Sequence, residues 1–178
     1  MSIGVFDPAR MTPAQRAVHD RIASGPRGGV PRPFLAMLDI PDVAEAIQGV
    51  GESLRFANST PASLRELATL ATAAAFGSGY EWDYHLPLGR KAGLSEQDIA
   101  AAAGADVSHL DEIHRLVVKI CRGGVLTCRI DPDAVKRLVA LTNAETAATI
   151  VTIVGYYQML ALFLSAGAAD HPVRHDPP

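Results

Sequence analysis

In the segment GSGYEWDYH, residues 77–85, Glu81 and His85 stand four residues apart. On a helix the two side chains share one face, one turn from each other. Histidine is the side chain best suited to moving protons near neutral pH. A carboxylate one turn before it can accept an imidazole N–H, fix the tautomer and favour the protonated ring. Glu81 would open the helix, where the dipole favours its negative form. Arg65 and Glu66 are adjacent charges on the otherwise apolar segment before it. The planar fork of Arg65 suits a substrate carboxylate, and Glu66 could relay protons or hold His85. The break at Gly77–Gly79 lets the two segments turn back on each other, so that these groups converge. The same spacing also fits an ordinary surface pair, worth about 0.3–0.5 kcal/mol. Trp82 and Tyr84 fit core or interface positions equally well.

The elements that must position these residues are helices, since no segment shows the period-two alternation of a sheet. Thr12 followed by Pro13 marks a first short helix, and SGPRGGVPRP, residues 24–33, is a loop. Two helical pieces follow, a short one around Leu35–Leu38 and a longer one with Val43, Ala46, Ile47, Val50 and Leu54 at helical spacing. Thr60 as cap and Pro61 as first residue start a helix striped by Leu64, Leu67, Ala68, Ala71 and Ala75. The His85 segment opens the next, which runs to Gly93 and is bent or restarted by Pro87. Ser95, with Asp98 three residues on, caps another. Ser108 caps the one after, which the glycines at 123 and 124 end between Cys121 and Cys128. Asp131 with Pro132 begins a further helix, and Asn143 caps the most apolar one. The fold class is all-α, with about seven or eight helices. The organisation is an N-terminal arm and short helix over 1–32, a helical domain over 33–168, and a flexible tail over 169–178.

Of the 178 residues, 48% are apolar and only 6% aromatic, a mixture that favours close helix packing. A net charge of −3 gives no footprint for nucleic acid or an anionic membrane. The stretch TAATIVTIVGYYQMLALFLSAGAA has spanning length. Its Thr, Tyr, Gln and Gly residues and the lack of a basic flank read instead as a buried helix, at an oligomer interface. The first residues lack the apolar region of a secretory leader, so a soluble cytoplasmic protein is expected.

Other chemistry-bearing residues form weaker patterns. Cys121 and Cys128 are seven apart, too far for a C-x-x-C pair, and read as buried or unreactive thiols. His109 and His114, beside Asp111 and Glu112, lack the further ligands of a metal centre and read as a solvated face. His171 and His175 could bind a metal adventitiously. The two RGG triplets lack the strand and Lys-Ser/Thr of a phosphate loop. Tyr156 and Tyr157 read as subunit-interface residues, with a place in the pocket as the alternative.

The run LRELATLATAAAFGSGYEWDYHLPLGRKAGLSEQDIAA resembles the signature region of the carboxymuconolactone decarboxylase family, which includes the alkylhydroperoxidase AhpD branch. The shared pattern is an Arg-Glu helix, a short break, E-x-x-x-H, then KAGLS and another helix. It covers roughly residues 33–103. The resemblance implies an AhpD-like helical bundle assembled as a homo-oligomer, trimer or hexamer, and a small-molecule substrate. The two cysteine positions of the AhpD branch fall on Ser78 and Glu81, so its C-x-x-C peroxidase chemistry lacks both thiols. The histidine falls on His85 and the relay glutamate on Glu66. In the decarboxylase branch Glu81, His85 and Arg65 match. Gly89 stands where many members have alanine.

The function so implied is a cofactor-independent acid/base lyase, a decarboxylase acting on a small carboxylated lactone or keto acid. His85, Glu81 and Glu66 would be catalytic, and Arg65, Trp82 and Ser78 would bind substrate, with no metal. The alternatives are a peroxidase-like oxidoreductase using Cys121 or Cys128, and a non-catalytic oligomeric scaffold that binds a small acid.

Overall fold

A computed structural model of the chain describes residues 3–173. Among them are nine α-helices, one short 3-10 helix at Pro8–Arg10 and no strand. The expected all-α class is thus observed. Residues 1, 2 and 174–178, which include His175 and half of the expected tail, lie outside the described residues. The chain divides into two compact units, residues 3–58 with 159–170, and residues 59–158 with 171–173.

The first unit begins with α1 (Pro13–Ala23), α2 (Arg32–Met37) and α3 (Pro41–Phe56). Thr12 and Gln15 form the reciprocal capping box of α1, with Pro13 at its first position. Phe34, Met37, Leu38, Val18 and Ile22 are fully buried. A bidentate pair from Arg21 Nε and Nη2 to the Glu45 carboxylate, at 2.5 and 2.6 Å, ties α1 to α3. The apolar stripe read along α3 is only in part its inner face, with Ile47 and Leu54 half-buried. Ala44 and Gly51 are buried, while Val43 and Val50 stand 42% and 45% exposed. Close helix approach selects small residues for the inner side.

In the second unit α4 (Ala62–Phe76) packs against α5 (Gly79–Lys91), α6 (Glu96–Ala103) and α7 (Glu112–Thr127). Small and branched side chains along α4 make this possible, with Leu67, Ala68, Leu70 and Ala71 wholly buried. Pro61 rather than Thr60 is the N-cap of α4. Gly77 ends the helix in the left-handed region at φ 88°, and the Gly77 and Ser78 amides both donate to the Ala73 carbonyl. That turn is what the Gly-Ser-Gly break predicts. Pro87 interrupts nothing, for α5 is continuous through it. The missing N–H leaves only the Asp83 carbonyl without its helical partner.

Two further helix boundaries depart from expectation. Asp111, not Ser108, caps α7 by accepting the His114 amide at 2.9 Å, while Ser108 bonds back to Asp106. Nor do Gly123 and Gly124 end α7, which runs on to a left-handed Cys128. Gly124 is a packing residue: a Cβ there would meet Ile130 Cδ1 at 2.5 Å and Val154 Cγ1 at 2.9 Å. Asp131 caps α8 (Pro132–Leu141), and the Asn143 side chain accepts the Thr146 amide at the start of α9 (Ala144–Ala166). By length and composition α9 could cross a membrane, with hydropathy 1.7. Yet 56% of that window is buried inside the protein, as in a core helix.

α6 carries the capping box read from Ser95 and Asp98, and the Asp98 carboxylate also meets His114 Nδ1 at 2.7 Å. Burial raises the Asp98 pKa, but the Ser95 hydroxyl, the His114 ring and the Ser95 amide outweigh it and hold it below its usual value. A depressed folded-state pKa gives stability that is present above the unfolded value, about 3.9, and is lost as pH falls through the folded one. Asp98→Asn is therefore expected to lower the melting temperature at pH 7, with the gap to the wild type starting to narrow only as the pH falls below about 4. Parallel melting curves that never converge would refute this assignment.

Candidate active site

α4 presents Glu66, and α5 presents Glu81 and His85, with Ser78 as its N-cap residue. Burial decides against the surface-pair reading: Ser78 is 1% exposed and Glu81 and His85 2% each. The imidazole bonds Glu66, whose Oε2 lies 2.6 Å from His85 Nδ1. Glu81 Oε2 stands 3.8 Å from Nε2, within ion-pair range but beyond a hydrogen bond. The direct bond thus comes from the neighbouring helix rather than from the i, i+4 residue. It places a proton on Nδ1, between ring and carboxylate, and leaves Nε2 facing Glu81.

Glu66 is also the more exposed of the two carboxylates, its side chain 14% accessible against 3% for Glu81. It can pass a proton outward from a ring that is itself sealed. Gly89, one turn after His85, keeps α5 close to α4. A Cβ there would come within 3.0–3.1 Å of Leu94 and Leu70 and 3.8 Å of Glu66 Cβ.

The aromatic surroundings are only partly those expected. Trp82 is buried, at 5% exposure. Tyr84 stacks on Tyr80 with centroids 6.2 Å apart. Tyr157, 72 residues beyond His85 in sequence, sets its ring edge-on to the imidazole, with centroids 5.0 Å apart. Tyr156 packs edge-on to Tyr157 in turn. The sequence offered only the weaker of two readings for Tyr157, because nothing local links α9 to α5. Arg65 is half-buried, and its Nη1 donates to the Thr60 carbonyl just before α4.

Among the described residues no group of three or more His, Cys, Asp and Glu side chains could hold a metal ion. His114 is engaged by Asp98 and by Asp111 at 3.4 Å. Cys121 is buried and Cys128 exposed. Burial pushes the Cys121 thiol up to about 12, against a smaller opposing effect of the Thr72 hydroxyl. A thiol so disposed is protonated near neutrality and is a poor peroxide nucleophile. Titration of the native protein with a disulfide reagent at mildly alkaline pH should find one reactive thiol, Cys128, and a second only after unfolding. Two fast thiols in the native state would reopen a redox role.

Residues 41–111 match the carboxymuconolactone decarboxylase family. That segment spans α3 to α6, including the Glu66–His85–Glu81 cluster. Over this segment the chain is similar to that family. No curated protein matches it by sequence. Two crystal structures of the debrominase Bmp8 share its fold. The apo form superposes with a TM-score of 0.71 at 17% identity, covering 97% of this chain and 91% of that one. A single-substitution variant of Bmp8 in complex with 2,3,4-tribromopyrrole superposes at 0.68 and 17% identity, covering 93% and 89%. At that identity the likeness establishes the AhpD-like fold and not the reaction.

Proposed function

We propose that this protein is a cofactor-independent acid/base lyase that decarboxylates a small carboxylated lactone or keto acid. The observation that carries the reading is the buried Glu66–His85–Glu81 row, with a 2.6 Å bond on Nδ1 and Nε2 turned toward Glu81. Loss of carbon dioxide leaves an electron pair on carbon that must be stabilised and then protonated. His85 Nε2 is the group that delivers this proton. Glu66 orients the ring and replaces the proton from the more exposed side. Glu81 lies beside the point of delivery, and Trp82 supplies an apolar wall that excludes water. Arg65 would take the substrate carboxylate by sharing the guanidinium that now bonds Thr60.

The enzyme would work in the cytoplasm as a homo-oligomer, a trimer or hexamer. The exposed Val43, Val50 and Phe56 of α3 support an assembled state. The test is a panel of small carboxylated lactones and β-keto acids, following carbon dioxide release and substrate loss together. Stoichiometric release with at least one substrate is expected. Binding without any turnover across the panel would favour the scaffold reading.

A further inference from the structure

The C-terminal segment does not simply trail away after α9. The Gly79 amide, first in α5, donates to the His171 carbonyl at 2.7 Å. His171 Nε2 lies 3.4 Å from Asp83 Oδ2, one turn further along α5. The absence of a side chain at residue 79 makes this seat. A Cβ on Gly79 would stand 2.5 Å from the His171 carbonyl oxygen and closer still to its Nδ1. Next to it, Ser78 is the N-cap residue, yet its side chain caps no amide of the first turn. Its Oγ is fully buried without a hydrogen-bond partner.

A buried hydroxyl left unbonded is costly, and the start of a 13-residue helix carries partial positive charge that attracts anions. An uncharged main-chain oxygen occupies that position here. We propose that the first turn of α5 is a carboxylate-binding site, with the Gly79 amide and Ser78 Oγ as donors, held shut by the His171 carbonyl until an anion displaces it. A carboxylate oxygen replaces the carbonyl on the Gly79 amide with a stronger, charge-assisted bond. Its other oxygen gives the Ser78 hydroxyl the acceptor it lacks. Ser78 and Gly79 open the helix whose next turns carry Glu81 and His85, so an acid held there is presented to the proposed proton donor. The site deepens the decarboxylase reading by adding a second carboxylate anchor, but its test uses binding alone and so does not depend on turnover.

The experiment titrates the full chain with sodium acetate against sodium chloride at equal ionic strength. It reads the Gly79 amide resonance and hydrogen exchange over residues 169–173. Acetate should shift the Gly79 amide saturably and speed exchange in the strap, and chloride should do neither. Ser78→Ala should weaken the acetate effect about tenfold or more, the usual worth of one bond to a charged group. Gly79→Ala, whose methyl group takes the His171 position, should speed strap exchange with no acetate present. His85→Ala should bind acetate like the wild type, which separates this site from the acid/base chemistry. An unmoved Gly79 resonance, a strap that stays protected at saturation, or an unchanged response in Ser78→Ala would each overturn the proposal.

Discussion

His85→Ala is expected to lose carbon dioxide release by about 10²–10⁴-fold, the usual contribution of a positioned general acid or base. The loss should fall on kcat, since the His85 proton stabilises the charge that develops on the substrate as the bond breaks more than it aids binding. Two variants separate chemistry from folding. Glu66→Gln keeps an acceptor oxygen 2.6 Å from Nδ1 but removes the charge and the relay, and should cost less than His85→Ala. Glu81→Gln alters the carboxylate that faces Nε2 at 3.8 Å and should shift the pH profile as well as the rate. Each variant is to be checked by circular dichroism, because removing one member of a buried polar cluster also leaves its partners with an uncompensated desolvation penalty. A folded His85→Ala protein that turns over at the wild-type rate would remove this site from the reaction.

Leu67→Ala should destabilise the protein by about 2–5 kcal/mol, the range for deleting a fully buried leucine side chain. Leu67 has no exposed surface and sits on α4, which packs on α5, α6 and α7 together. A void at that position weakens the packing of the helix on which all three converge. The loss is a large part of the roughly 5–15 kcal/mol that holds a typical domain together. Urea unfolding should show a lower midpoint with an unchanged slope. The control is Leu126→Ala, at a residue 65% exposed, which should fall within about 0.5 kcal/mol of wild type. Equal effects at the two positions would mean that α4 is not the core of its unit. The prediction bears on the site too, since α4 carries Glu66 immediately before Leu67. Loosening that packing should lower turnover before it unfolds the protein.

Much of this arrangement is written locally. The helices follow from caps and breaks within a few residues of each terminus: Thr12 with Gln15, Ser95 with Asp98, Asn143 with Thr146, and Gly77 in a conformation that favours glycine. Glu81 and His85 share a face because the helix repeat puts them there. What marked the cluster as more than a surface pair was the resemblance of the run from Leu64 to Ala101, with its Arg-Glu helix, break and E-x-x-x-H, to a family signature. The expectations that failed were decided at longer range. Nothing within the α3 sequence shows that Ala44 and Gly51, rather than Val43 and Val50, face inward, because inward facing depends on how closely another helix approaches. Nor does a glycine pair in α7 announce whether it ends the helix or admits Ile130 and Val154 against it.

The sequence by itself thus determined the helical class, most helix boundaries, the likeness of residues 41–111 to a known family and the residues able to exchange protons. Only the tertiary structure decided which carboxylate bonds the ring, since Glu66 reaches Nδ1 from another helix while Glu81 is held back on its own. It alone set Tyr157 against the imidazole and His171 on Gly79. The physical reason is one of range. Caps, turns and helical faces are fixed by neighbours in the chain, whereas the partners of a buried polar group are fixed by whichever distant segment packing brings within hydrogen-bond reach.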